Sequence, residues 1–317
     1  MKTTYTALRQ RCGLWRRGPR SGLMLTGEDR HRLLHGLVTC EVKALEPGQG
    51  TRGFFTDAKG HILSPVVVRA VEDHLWLELP VEKTSPIGDH IQKYKVADRV
   101  EISETPLAAP LTLIGPASAG LLAAVSRVPD LAGAWDHGSI DIGDGNLPLT
   151  ADGGLGVPAF SLWASEDAVE GLIRALCDPD GSPGAELVDE EAVEIIRVED
   201  GAPRFGSDYD SENLPQETGL EDAVSYTKGC FLGQEVVARL HHRGQVARQV
   251  ARLAVEGSGS VARGTTLLLE EREAGRITSA VQRPTDGRIS ALAMLQRRAL
   301  EPGTVLSMVG GREARVC

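Results

Sequence analysis

Apolar positions along this chain recur with two periods, and each predicts its own elements. Leu33, Leu34 and Leu37 share a helical face behind Thr26-Gly-Glu-Asp29, which has the form of a capping box, so a helix is expected there. Residues 51–71 read as two strands joined by a turn at Asp57-Ala-Lys-Gly60. His74–Leu79 alternates with Leu75, Leu77 and Leu79 turned inward, the signature of a third strand. Val169, Leu172, Ile173 and Leu176 predict a helix after Ser165, and a further helix is expected from Asp189 through Val193, Ile196 and Arg197. Glycine-rich loops such as Asp152-Gly-Gly-Leu-Gly156 separate these elements. Past residue 245 the texture changes to five short β-prone runs (250–255, 265–269, 277–281, 289–294 and 304–309) broken by turns such as Pro284-Thr-Asp-Gly287. The expectation is an α+β body over residues 1–244 followed by an all-β barrel or sandwich over residues 245–317, with no internal repeat.

Composition narrows the function. A chain of 317 residues suggests about two domains. The formal charge of −10 makes it a poor coat for DNA or RNA, and no apolar run approaches the ~18 residues that would cross a membrane. The five cysteines (Cys12, Cys40, Cys177, Cys230 and Cys317) form no CxxC pair, which argues against structural zinc, a self-contained iron–sulfur ligand set and a disulfide scaffold. A reducing, cytoplasmic setting is expected. Six basic residues and no acid in the first 27 mimic a transit peptide, but also describe a basic arm packed on an acidic protein, the reading preferred here.

Candidate chemistry concentrates between residues 197 and 252. Residues 199–222 hold eight acids against one base, Arg204, whereas residues 228–252 hold five bases against one acid, Glu235. Such a basic stretch is either a socket for an anionic ligand or one half of a self-neutralising surface. Within it lies Lys228-Gly-Cys-Phe-Leu-Gly-Gln-Glu235. Gly233 should break the chain ahead of a helix, placing Cys230 near a helix N-terminus, where a thiolate is favoured. A cysteine so placed can be a nucleophile, a transient metal or sulfur ligand, a redox sensor or an inert core residue. Other patterns fail: His31 and His35 lack the glutamate of a zinc-protease motif, and Asp208-Tyr-Asp-Ser-Glu212 lacks the glycine and the final glutamate of a calcium loop. No Walker A, GxGxxG or GxSxG segment is present.

Lys228–Glu235, together with Arg239 and Arg243-Gly244, resembles the KGCYxGQE signature of the YgfZ family of folate-binding proteins, relatives of the glycine-cleavage T-protein, an aminomethyltransferase. Arg197-Val-Glu-Asp-Gly201, Pro215-Gln-Glu217, Pro47-Gly-Gln-Gly50 and Lys59-Gly60 extend the likeness, as do Gly275–Ser279 and Glu301–Thr304 near the C-terminus. The resemblance implies a three-lobed α+β body around a central folate channel, with a small C-terminal β-barrel and tetrahydrofolate as the cofactor. It places Cys230 as the functional thiol and Glu199, Lys228, Arg197 and Arg239 around the folate, Glu199 on the pterin and Lys228 near the anionic tail. The partners it implies are folate and iron–sulfur client enzymes or assembly proteins, with no direct nucleic-acid role. Where the T-protein has a pair of aspartates, this chain has Ser64-Pro65, so aminomethyl transfer is the alternative and iron–sulfur cluster assembly or repair the expectation.

Overall fold

The computed structural model describes residues 2–106, 110–143, 145–178, 184–243, 246–308 and 311–317. Helix α1 (Lys2–Gln10) and strand β1 (Gly13–Arg16) lead into β2 (Ser21–Thr26), α2 (Arg30–His35), β3 (Gly50–Thr56), β4 (Ile62–Ala70) and β5 (His74–Leu79). Then come α3 (Thr84–Tyr94), β6 (Glu101–Pro106), β7 (Leu111–Ile114), α4 (Ser118–Val125), β8 (His137–Ile142), β9 (Gly145–Ala151) and β10 (Ala159–Leu162). The body closes with α5 (Glu166–Cys177), β11 (Glu186–Val188), α6 (Glu190–Glu199) and α7 (Gln234–Arg243). Six strands follow: β12 (Arg248–Val255), β13 (Thr266–Leu269), β14 (Arg272–Gln282), β15 (Ile289–Gln296), β16 (Val305–Met308) and β17 (Glu313–Val316).

These strands form a five-stranded sheet (β3-β4-β5-β2-β6), a six-stranded sheet (β11-β1-β7-β10-β9-β8) and a closed barrel (β12-β15-β14-β13-β16-β17). The fold is therefore α+β with a C-terminal barrel. In the five-stranded sheet Leu23 stands opposite Leu77 and Leu25 opposite Leu75. With Val66 and Val68 they bury one face against Leu33 and Leu34 of α2 and Ile87 and Ile91 of α3. The period of two sends Met24, Trp76 and Glu78 to the other face, which meets the six-stranded lobe through Trp163, perpendicular to Trp76 at 4.9 Å. Val169, Leu172 and Leu176 of α5 pack on the six-stranded sheet. Asp189 caps α6 by accepting from the Ala192 backbone N–H at 2.9 Å. That helix packs on α1 and on barrel strands β14 and β15.

The expected C-terminal runs all become strands, except that Val309 lies outside the described residues. The sixth strand, β17, is only four residues long. It closes the barrel by pairing with both β16 and β12 and turns Ala314 and Val316 inward. Leucines 253, 267, 295 and 306 fill the interior, each contributing about 1.5–3 kcal/mol by burial. The capping box, by contrast, does not form. Thr26 ends β2, and Asp29 stands at the N-cap of α2 without a capping hydrogen bond, its carboxylate accepting instead from the Arg99 N–H at 2.9 Å. Leu37 follows α2 rather than belonging to it. The basic N-terminal residues pair with acids elsewhere in the chain: Arg11 with Glu186 at 2.8 Å, Arg17 with Asp152 at 3.1 Å and Arg20 with Glu78 at 2.8 Å. Among the described residues no helix is long and apolar enough to cross a membrane.

Candidate functional site

The hairpin joining β3 to β4 is built on Asp57. Its carboxylate accepts from the Lys59 and His61 N–H groups, and its carbonyl from the Gly60 N–H at 3.0 Å. The tip of this hairpin packs directly on Gly233, the residue before α7. Gly233 has φ +83°, and a Cβ there would lie 2.5 Å from the Asp57 carbonyl oxygen and 2.9 Å from Gly60 Cα. Only glycine fits, which explains the second glycine of the Lys228–Glu235 motif. Cys230 lies four residues ahead of α7 and is exposed.

Lys228 is buried beneath that loop, and its ammonium donates to three backbone carbonyls: His35 at 2.7 Å, Val38 at 2.6 Å and Cys40 at 2.6 Å. Burial draws its pKa down to about 8. The three carbonyl dipoles oppose that shift, since they favour the charged form. With all three donors engaged, Lys228 ties the chain after α2 to the thiol loop, and a ligand carboxylate would have to displace one of these bonds. Phe231, next to the thiol, packs with Phe54 and Tyr209.

Helix α6 turns Arg197 and Glu199 to different neighbours, because residues two apart on a helix point about 200° apart. Arg197 spends all five of its donors. Nε and Nη2 bond Glu194 (2.9 and 2.5 Å), Nη1 bonds the Ala202 carbonyl (2.6 Å) and Asp208 (2.7 Å), and Nη2 also bonds Ser279 Oγ (2.9 Å). Asp208 in turn accepts from Thr278 and Ser279 of the barrel at 2.6 and 2.7 Å. Arg197 is thus the joint between α6, the following loop and the barrel. The Glu199 carboxylate faces α1 and the barrel, accepting from Tyr5 (2.9 Å), Arg9 (2.7 Å) and Arg283 (2.5 Å). Burial would raise its pKa, but the hydrogen bonds from Arg283, Arg9 and Tyr5 outweigh this and hold it below the usual carboxylate range.

Between the lobes lies a cavity of 490 Å³, walled by Trp15 and Arg17 of the β1 region, Arg20, Pro65, Pro80, Asp152, Gly154, Arg197, Phe205 and Tyr209. A 140 Å³ compartment shares Arg20, Pro65, Pro80, Gly154 and Tyr209 with it and extends to Arg52, Phe54, Glu78 and Trp135. Aromatic rings and guanidinium groups alternate here: Arg17 lies over Trp15 at 5.6 Å, Arg52 over Trp135 at 5.2 Å, and Phe205 meets Tyr209 edge-on at 5.7 Å. Buried Glu78 receives Arg20 and Arg69. Burial alone would raise its pKa, yet Arg20, Arg69 and Arg17 keep it well below the ordinary carboxylate range. At the position of the missing aspartates, Ser64 is fully buried and donates to the Pro65 carbonyl at 2.8 Å, so proline is what this pair presents to the cavity.

Of the residues singled out from the sequence, Arg197 lines this cavity, and Glu199, Lys228, Cys230 and Arg239 are not among its lining residues. Arg239 is exposed on α7. Trp15, Arg17, Arg20, Asp152, Phe205 and Tyr209 have no common motif; the scarcity of aromatics in the chain was the one signal that could have drawn attention to them.

The fold and this inter-lobe cavity define the class. The chain belongs to the family described as the GCVT N-terminal domain, whose model matches residues 1–228. It is similar to the tRNA-modifying protein YgfZ of Yersinia enterocolitica, 28% identical over 263 residues, covering 81% of this chain and 75% of that protein. The protein of the same name from Vibrio atlanticus is 25% identical over 272 residues, covering 83% and 77%. In structure it resembles glycine cleavage system aminomethyltransferase T from Bartonella henselae, with a TM-score of 0.85 at 17% identity over 99% of this chain and 87% of that one.

Proposed function

We propose that this protein binds tetrahydrofolate in the inter-lobe cavity and supports the assembly or repair of iron–sulfur clusters in client enzymes, with Cys230 as the working thiol. The observation that carries the reading is the cavity itself, where three aromatic side chains from two distant segments, Trp15 on one and Phe205 and Tyr209 on the other, meet paired arginines and carboxylates. The residues fit the group: Trp15, Phe205 and Tyr209 offer flat faces for a pterin and a benzoyl ring, Asp152 offers acceptors for ring N–H donors, and Arg17 and Arg20 suit terminal carboxylates. When bound, tetrahydrofolate would supply a carrier for one-carbon groups. The chain's own part is to orient that ligand and hold it out of water. Glu199, Arg197 and Lys228 then act as framework, fixing α1, the barrel and the thiol loop around the cavity.

Cys230 is exposed on the loop whose next residue, Phe231, packs against Tyr209 and Phe54 of the cavity wall. Occupation of the cavity therefore bears on the loop that presents the thiol to a client's cluster. The Ser64-Pro65 pair supports this reading over aminomethyl transfer, since neither residue can hold a proton or offset a developing positive charge as a carboxylate does. The relatives carry the name tRNA-modifying protein, so a cluster-dependent enzyme that modifies tRNA is the client class proposed here. The test is restoration of a cluster-dependent enzyme's activity by wild type and by Cys230→Ser, each with tetrahydrofolate. Wild type should restore activity and the variant should not; equal restoration by both would remove Cys230 from the mechanism.

A further inference from the structure

The face of the five-stranded sheet that bounds the central cavity continues past Arg69 to a second cavity of 680 Å³, between β5 and the β8–β9 hairpin. It shares no lining residue with the central one. Met24 and Val71 form apolar wall, and Trp76 and Trp163 stand at 77° to each other, offering a ligand one ring face and one ring edge. Among the described residues Glu72 is the only Asp, Glu, Lys or Arg in the lining, so no lysine or arginine lines the site to receive a phosphate or carboxylate. The two lining histidines are engaged elsewhere, His74 Nδ1 with Asp73 at 2.6 Å and His137 Nε2 with the Ala70 carbonyl at 2.8 Å. Hydrogen-bonding capacity is nonetheless in surplus around it. Trp76 Nε1 and Thr105 Oγ1 have no partner among the described residues, nor does Nε of Arg69, which is buried in the wall with its guanidinium 5.0 Å from the Trp76 ring. An apolar, aromatic cavity with a few directional polar groups is the usual form of a small-molecule site.

We infer that this second cavity binds a small, flat, uncharged heteroaromatic molecule carrying a carbonyl acceptor. The inference does not depend on the folate reading. A negatively charged ligand is disfavoured by Glu72, and the two indole rings favour a flat aromatic partner. The site also touches the central one through a chain of contacts: Trp76 stacks on Arg69, Arg69 pairs with Glu78, and Glu78 holds Arg20 and Arg17 of the central cavity.

The four tryptophans divide evenly between the cavities, Trp15 and Trp135 in the central one and Trp76 and Trp163 in the second. Full-length protein labelled with 5-fluorotryptophan, its fluorine resonances assigned by single Trp→Phe variants, therefore reports on both at once. Quinolin-2-one, a neutral bicyclic lactam, is the probe. Saturable shifts at Trp76 and Trp163, with Trp15 and Trp135 unmoved or shifting in parallel at lower amplitude, are expected. Ser139→Tyr, an exposed lining position, should weaken that binding about tenfold while leaving the Trp15 and Trp135 signals in place. No shift at Trp76 and Trp163, unsaturable shifts at all four, or wild-type affinity in Ser139→Tyr would each overturn the inference. Tetrahydrofolate added separately reads the central cavity through Trp15 and Trp135, so failure of one site is told apart from failure of the other.

Discussion

Replacing Lys228 by methionine separates a structural clamp from a ligand contact. Methionine keeps most of the stem volume and removes the ammonium, stranding the carbonyls of His35, Val38 and Cys40. A hydrogen bond to a charged group is worth ~1.5–3 kcal/mol, and a buried carbonyl left unpaired costs ~1–3 kcal/mol. Against this, the variant is spared the desolvation of a buried charge, which offsets much of the gross gain. With three acceptors stranded at once, a net loss of about 3–5 kcal/mol is expected. At ~2.1 cal/mol/K of unfolding entropy per residue, a chain of 317 residues shifts its melting midpoint by about 1.5 °C per kcal/mol, so the midpoint should fall by roughly 5–8 °C. The assay is thermal unfolding of ligand-free protein followed by circular dichroism. Arginine should not rescue, because a planar fork does not reproduce three bonds converging on one nitrogen. A Lys228→Met protein melting within about 2 °C of wild type, well below the expected shift, would refute the clamp and return Lys228 to the folate tail.

Further outcomes follow from the same geometry. Arg197→Lys should destabilise by about 3 kcal/mol or more, because it abandons most of five hydrogen bonds and leaves buried Asp208 under-compensated; chemical denaturation measures it. Glu78 has a depressed folded pKa, so its contribution to stability is complete above the ordinary value of 4.5 and is lost as pH falls below that towards the folded value. Glu78→Gln should accordingly lower the melting midpoint at pH 7 and narrow its gap to wild type in acid; an equal gap at both pH values would contradict this. Thiol titration of native protein with an aromatic disulfide should find Cys230 and Cys317 fast. Cys12 and Cys40 should be slow, being buried with pKa values pushed up to about 11 and about 12, and Cys230→Ser should remove one fast equivalent. Gly233→Ala should cost several kcal/mol, since it forces a Cβ against the Asp57 carbonyl at a positive φ, and limited proteolysis should show the 228–233 loop opened.

Elements whose own residues decide their packing were legible in the sequence. Helix α5 shows its apolar stripe at i, i+3 and i+7, α6 begins at a true N-cap, and β5 alternates through Leu75, Leu77 and Leu79. The barrel runs were legible for the same reason. The short strands β1, β7, β10, β11 and β17 were not, because three or four residues carry too little period and are held by their sheet neighbours. The failed capping box has a similar cause: Thr26 was claimed by pairing with His74 across β2 and β5, which a local motif cannot foresee. At the site, the motif around Cys230 drew attention to the 228–233 loop, yet which face of α6 meets the cavity depends on where α1 and the barrel lie. The cavity lining itself is assembled from residues as far apart as Trp15 and Tyr209, and only the tertiary fold brings them together.

Calorimetric titration of tetrahydrofolate under anaerobic conditions tests the central claim most directly, using wild type, Phe205→Ala and Glu199→Gln. The account predicts saturable binding to wild type. Phe205→Ala should weaken it about tenfold through loss of a ring face. Glu199→Gln should keep its affinity once its lower stability is allowed for, because that carboxylate faces Tyr5, Arg9 and Arg283 rather than the cavity. No heat of binding in wild type, or binding abolished by Glu199→Gln but untouched by Phe205→Ala, would contradict it.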